Sequence, residues 1–182
     1  MLRGHTKRMG APNNNAEVAD RFGVVAKRFR SVVDSASSMD RIEFAAQIYR
    51  ILPKLIDEAI SLPDVESSDS DHKKSSINIR FQEWDRLYNS LKEKLGDWNP
   101  YHQVFDPTQD SEAIFGSLAD DIADIYGDLK KGLVFIETRQ SQPDDAIWTW
   151  RVLFYSHWGQ HAMNALQAIH FRLQNADFSG HS

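Results

Sequence analysis

Two histidines stand four residues apart in AIWTWRVLFYSHWGQHAMNALQAIHFRL, the stretch from Ala146 to Leu173. On a helix, His157 and His161 would stack on one face. That is a spacing at which two imidazoles can ligate one metal ion. A second stretch, SLADDIADIYGDLKKGLVFIE from Ser117 to Glu137, carries Asp120, Asp121, Asp124 and Asp128. At about 100° per residue, Asp121, Asp124 and Asp128 fall on one flank of that helix's apolar stripe, and Asp120 points nearly opposite it. Three carboxylates on one flank repel one another, and a cation relieves the repulsion. If the two helices pack antiparallel, Asp121, Asp124, Asp128, His157 and His161 border one another. Mixed carboxylate and imidazole ligands inside a helical bundle can hold one or two divalent metals. Such a metal activates water or simply braces the fold. The plainer account is a solvated acidic face beside two neutral histidines hydrogen-bonded in the core. An unpaired buried polar group costs about 1–3 kcal/mol, so partners are expected either way.

The elements that must position these residues are legible from apolar spacing. Val18, Phe22, Val25, Phe29, Val32 and Val33 recur at three and four and predict a first helix from about Ala16, ending near Ser35–Ser38. Ser38 or Asp40 starts a second, striped by Ile42, Ala45, Ile48, Leu52, Leu55, Ile56 and Ala59. Pro53 predicts a kink in it, or a break with a new helix starting there. The segment PDVESSDSDHKKSS (Pro63–Ser76) reads as a surface loop. A third helix is expected over Arg80–Leu95, stopped by Gly96. Asp97–Asp110 reads as an ordered loop pinned by Trp98, Tyr101 and Phe105, with a lid or pocket wall as its functional alternative. Ser117 with Asp120 resembles a capping box for the fourth helix, striped by Leu118, Ile122, Ile125, Leu129, Leu133 and Ile136. Pro143, Asp144 and Asp145 suit the first turn of a fifth, running to about Leu173 over roughly 45 Å. In that helix the two histidines fall near the centre of the stripe made by Trp150, Phe154, Ala165 and Ala168.

The expectation is therefore an all-α, single-domain helical bundle of five or six helices. It spans residues 14–174, between a disordered tail at 1–13 and a frayed tail at 175–182. At 182 residues the chain suffices for one sizeable core. It has no cysteine, which excludes disulfides, thiolate nucleophiles and Cys-type metal sites, and which fits a cytoplasmic protein. No apolar run reaches a membrane span, and the basic N-terminus has no apolar signal region. Residues 1–54 hold ten Lys/Arg against five Asp/Glu, while the remainder holds eleven against twenty-one. Such an acidic majority disfavours nucleic acid as a partner.

Four blocks occur in order: LPKLIDEAISLP (Leu52–Pro63), HQVFDP (His102–Pro107), SLADDIADIYGDLKKGL (Ser117–Leu133), and W-x-W with HWGQHAMNALQAIH (Trp148–His170). With these the chain resembles a bacterial family catalogued as domain of unknown function 5063, over roughly residues 18–172. The resemblance implies a compact all-helical protein and no particular activity. Asp120–Asp124, DDIAD, is also similar to the magnesium-binding motif of isoprenyl diphosphate synthases. A second such motif is absent and the chain is short for that fold, so we set that likeness aside.

Two function classes follow. The absence of a Gly-rich phosphate loop, G-x-S-x-G or E-x-x-H favours a non-catalytic module, binding another protein or a second copy of itself. Among the aromatic residues Trp148, Trp150, Tyr155, Trp158 and Phe171, clustered tryptophans are more often packing than recognition, but Trp148 and Tyr155 lie off the stripe's centre and are the expected surface for that role. The competing class is a metal-dependent hydrolase, acting on a phosphorylated small molecule, with the five Asp and His residues as ligands and a divalent metal as the one cofactor implied.

Overall fold

The computed structural model describes residues 14–67, 81–104, 106, 108, 109, 112–138 and 143–179. The expected tail at 1–13, most of the loop at 63–76, and Phe105 and Pro107 lie outside these. Helix α1 covers Asn15–Asp34, α2 Arg41–Ile60, α3 Phe81–Leu95, α4 Leu118–Glu137, α5 Pro143–Leu153 and α6 Gly159–Ser179. Helices α1, α2, α4, α5 and α6 pack on one another, and α3 lies along α4. The all-α fold expected from the spacing is what forms.

Each boundary has a local cause. The Asp40 side chain accepts from the Glu43 backbone N–H at 2.8 Å, so Asp40 rather than Ser38 caps α2. The Ser117 hydroxyl accepts from Asp120 N–H at 3.3 Å and caps α4 as the motif suggested. Gly96, at φ +54°, ends α3. The expected break at Pro53 does not occur, and α2 runs through it as one helix. Pro53 faces solvent, and Phe44, Ile48, Leu52 and Leu55 bury one side of α2 completely. That burial outweighs the single backbone bond a proline removes. The last helix continues to Ser179, past the expected fraying at residue 175.

Residues 97–110 are not simply a loop. Pro100–Val104 (β1) and Ala113–Ser117 (β2) form an antiparallel pair, with Tyr101 opposite Gly116 and His102 opposite Phe115. A Cβ at Gly116 would overlap the Tyr101 ring, so this position keeps the space that the phenol occupies. Asn99 ties the hairpin to α4: its side-chain oxygen accepts from Ala119 N–H at 2.8 Å and from the Ser117 hydroxyl at 3.1 Å.

The expected fifth helix is interrupted by a π turn at Phe154–Trp158. Such a turn accommodates one extra residue. In a regular helix His161 would follow Trp150 at about 20°, on the core line, and Ala162 would lie about 120° away. With one residue absorbed, Ala162 moves to about 20°, Ile169 to about 0°, and His161 to about 80° off the line. The burial follows the shifted register. Trp150, Ala162, Ala165 and Ile169 are fully buried, whereas the His157 side chain is 46% exposed and that of His161 22%. The histidines therefore stand at the rim of the core and not at its centre, which corrects the sequence reading. Gly159 permits the turn, because a Cβ there would overlap the Phe154 carbonyl oxygen and lie 2.9 Å from its ring. Trp150 and Phe22 meet at 4.5 Å between ring centroids where α1 crosses α5.

Candidate metal centre

Helix α4 and the α5–α6 rod are antiparallel, so the order of contacts reverses between them. Asp121 meets His161, Asp128 meets His157, and Asp124 lies between. His161 Nδ1 is 2.8 Å from Asp121 Oδ1, and His157 Nδ1 is 2.7 Å from Asp128 Oδ2. An ionised carboxylate only accepts, so each Nδ1 donates and, in the neutral ring, each Nε2 is left with its lone pair. Both Nε2 atoms face Asp124 Oδ2, at 3.8 Å from His157 and 3.5 Å from His161. The ligand atoms of Asp124, His157 and His161 all lie within 4.8 Å of one another.

Every other oxygen of these carboxylates has a partner. Asp121 Oδ2 accepts from the Tyr101 hydroxyl at 2.6 Å. Asp128 Oδ1 accepts from Lys131 Nζ at 2.8 Å. Asp124 Oδ1 accepts from the Trp84 indole N–H at 2.8 Å, and Trp84 stacks on Tyr88 at 5.2 Å. Asp124 Oδ2 and the two Nε2 atoms thus form a triangle of acceptors with no donor assigned between them. Ligands about 2.0–2.1 Å from a tetrahedral ion are about 3.3–3.4 Å apart. Two sides of the triangle are within a few tenths of an ångström of that.

Of the five expected ligands, the structure sorts three to the inner triangle and two behind it. Asp121 and Asp128 are 2% exposed and bonded to the imidazoles, so they orient the rings. This is the arrangement by which a carboxylate fixes the tautomer and raises the basicity of a metal-bound histidine. A merely solvated acidic face is excluded for these two. Tyr101, Trp84 and Lys131 complete the assembly. Neither Tyr101 nor Trp84, which come from the hairpin and α3, has a spacing that ties it to the site, whereas Lys131 stands at i+3 from Asp128 and was readable.

The electrostatics reflect crowding. Burial pushes the Asp121 carboxyl above the ordinary range, against the hydrogen bonds from His161 and Tyr101 that favour its ionised form. Asp120 is raised as well, by burial and then by the charge of Asp124, so it lies close enough to feel the cluster. For His161, burial opposes the charged form, but the hydrogen bond and charge of Asp121, helped by Asp124 and Asp120, raise its pKa overall. Burial and Asp121 together push the Tyr101 phenol far up, which keeps it a donor.

A family model described as a domain of unknown function, DUF5063, matches residues 13–175. The chain belongs to this family. No curated protein matches it. Among solved structures it is similar to protein BF1032 from Bacteroides fragilis, at 24% identity and a TM-score of 0.71 over 87% of this chain and 91% of that one. That likeness establishes a shared fold for this DUF5063 member. No described helix is long and apolar enough to cross a membrane.

Proposed function

We propose that the protein binds one divalent transition metal through Asp124 Oδ2, His157 Nε2 and His161 Nε2, and uses it to activate water for hydrolysis. The observation that carries this reading is the triangle of acceptors, each held from behind by its own donor or carboxylate. Three protein ligands with a solvent-facing side are the pattern of a catalytic rather than a structural zinc-type site. The exposed edge of His157 supplies that open side. The lysines of α4 argue against a phosphorylated substrate. Lys131 is committed to Asp128 and Lys130 to Glu83.

Elemental analysis of untagged protein, prepared without chelator and reconstituted with zinc, tests this. The expected result is about one metal ion per chain, lost in His157→Ala. An equal and negligible metal content in both proteins overturns it.

A second reading, docking of another protein or a second copy, draws on exposed apolar groups beside the π turn. Tyr155 is 64% exposed, and Val152 lies on the same turn. A concentration-dependent mass in solution that Tyr155→Ser abolishes would favour it.

A further inference from the structure

Two adjoining clefts lie between the hairpin and α6. One, of about 530 Å³, is lined by His102, Gln103, Gln160, Met163 and Asn164 among others. The second, of about 480 Å³, is lined by Tyr101, Phe115, Phe171 and Arg172 among others. Both include His102 and Gln167, so they join into one groove along the helix. Gln160 and Asn164 stand at i−1 and i+3 from His161 in the regular part of α6, about 100° and 60° around the helix from it, so the groove passes beside the candidate ligands. Tyr101 links the two sites directly, since it lines the groove and donates to Asp121.

The chemistry of the lining is specific. Side-chain amides of Gln103, Gln160, Asn164 and Gln167 combine donors and acceptors, the complement of a peptide group, and Gln160 Nε2 donates to Asn164 Oδ1 at 2.9 Å, which sets the orientation of that pair. A two-stranded sheet leaves outer strand edges that an extended peptide can also use. Among the described lining residues none is acidic, and the one permanent cation is Arg172, at the end away from the histidines. One of its five N–H donors goes to the Pro100 carbonyl at 2.7 Å. From His161 to Arg172 the helix rises about 16 Å, the length of about five residues of extended peptide.

We propose that this groove is the substrate channel of the candidate metal centre, taking a short peptide with uncharged side chains whose C-terminal carboxylate docks at Arg172 and whose scissile amide reaches Asp124, His157 and His161. The inference rests on the hydrolytic reading above. The reaction consumes one water. Its oxygen bonds to the carbonyl carbon, the C–N bond breaks, and one water proton passes to the departing nitrogen. The other is left on, or released from, the new carboxyl group. No oxidant or reductant takes part.

Calorimetric titration of acetyl-pentaalanine, as free acid and as C-terminal amide, into the full chain with and without zinc tests this. The free acid is expected to bind at least about tenfold more tightly than the amide, a gap of about 1.4 kcal/mol. Arg172→Gln closes that gap, Arg172→Lys keeps part of it, and Gln167→Ala weakens both ligands alike. Equal binding of acid and amide, or binding of an N-acetylglucosamine oligomer in place of either peptide, overturns the proposal. Peptide binding by a protein that takes up no zinc when zinc is supplied upholds the peptide groove and overturns the hydrolytic reading. Zinc binding with no peptide bound does the reverse.

Discussion

Asp121, Asp124 and Asp128 share a helix and a side-chain type, yet only Asp124 turns a free oxygen toward the imidazoles. The difference lies in what each partner takes. Removing an inner residue and removing an outer one should therefore have different signatures. His157→Ala and Asp124→Ala are expected to abolish the rise in melting temperature that zinc gives the parent protein, leaving the same melting temperature with zinc and with chelator. Calorimetric melts in both buffers check this; a zinc-induced rise that survives in either variant counts against a ligand role. Asp121→Asn removes an orienting carboxylate, and second-shell losses of this kind weaken metal binding about 10–100-fold. Competition with a chromophoric chelator should find that weaker affinity with the stoichiometry unchanged. The candidate residues were legible because i,i+4 histidines and a three-aspartate flank are visible in a linear string. Their division into ligands and supports was not. It depends on Tyr101 and Trp84, 20 and 40 residues away from the carboxylates they hold.

At the scale of elements, the hairpin and the π turn were the features hidden from the sequence. Both strands have five residues and sit in a segment with two prolines, so alternation had little length in which to declare itself. The π turn hid for another reason. Apolar periodicity continues on both sides of it, merely offset by one. Gly159→Ala is expected to destabilise the fold by about 1–3 kcal/mol, the range for forcing extra volume into a packed site. It should also weaken zinc binding, because His157 lies within the turn. Urea unfolding with and without zinc reads both effects, and unchanged zinc affinity would separate the turn from the site. Helices α1 and α4 are joined by the Tyr126 hydroxyl, which donates to Asp34 at 2.9 Å. Burial and the nearby Asp34 carboxylate raise the Tyr126 pKa, against the pull of Arg30. A raised folded-state value means stability that is fully present below the ordinary tyrosine pKa and lost as pH rises through the folded one. The parent protein is thus expected to lose more stability than Tyr126→Phe between neutral and strongly alkaline pH. Matched denaturation curves at both extremes decide it.

For the whole molecule, the metal would couple α4 to α6, and anything that binds only the folded chain stabilises it by mass action. Zinc at 100 times its dissociation constant contributes about 2.7 kcal/mol, or a melting-temperature rise of roughly 5–10 °C for a chain of this size. A rise well below this at saturation would mean that the unfolded chain retains zinc through its own histidines. Fold class was legible throughout, because long amphipathic stripes such as Leu118–Leu133 depend only on local spacing and came out buried as written, and Phe22 and Phe29 anchor the first helix in the same way. The π turn makes the chain unequally tolerant of changes in length. Loss of one in-frame codon at Tyr155 or Ser156 would leave a regular helix in which Ala162 still follows Trp150 at about 20° and His161 still lies about 80° off that line. Gain of one codon there has no such outlet. If Trp150 kept its place, the imidazole of His161 would swing to about 20°, into the line now held by Ala162. If His161 kept its place, the indole would leave the interior. A shortened turn spares both the core and the candidate metal site, whereas a lengthened one sets them against each other.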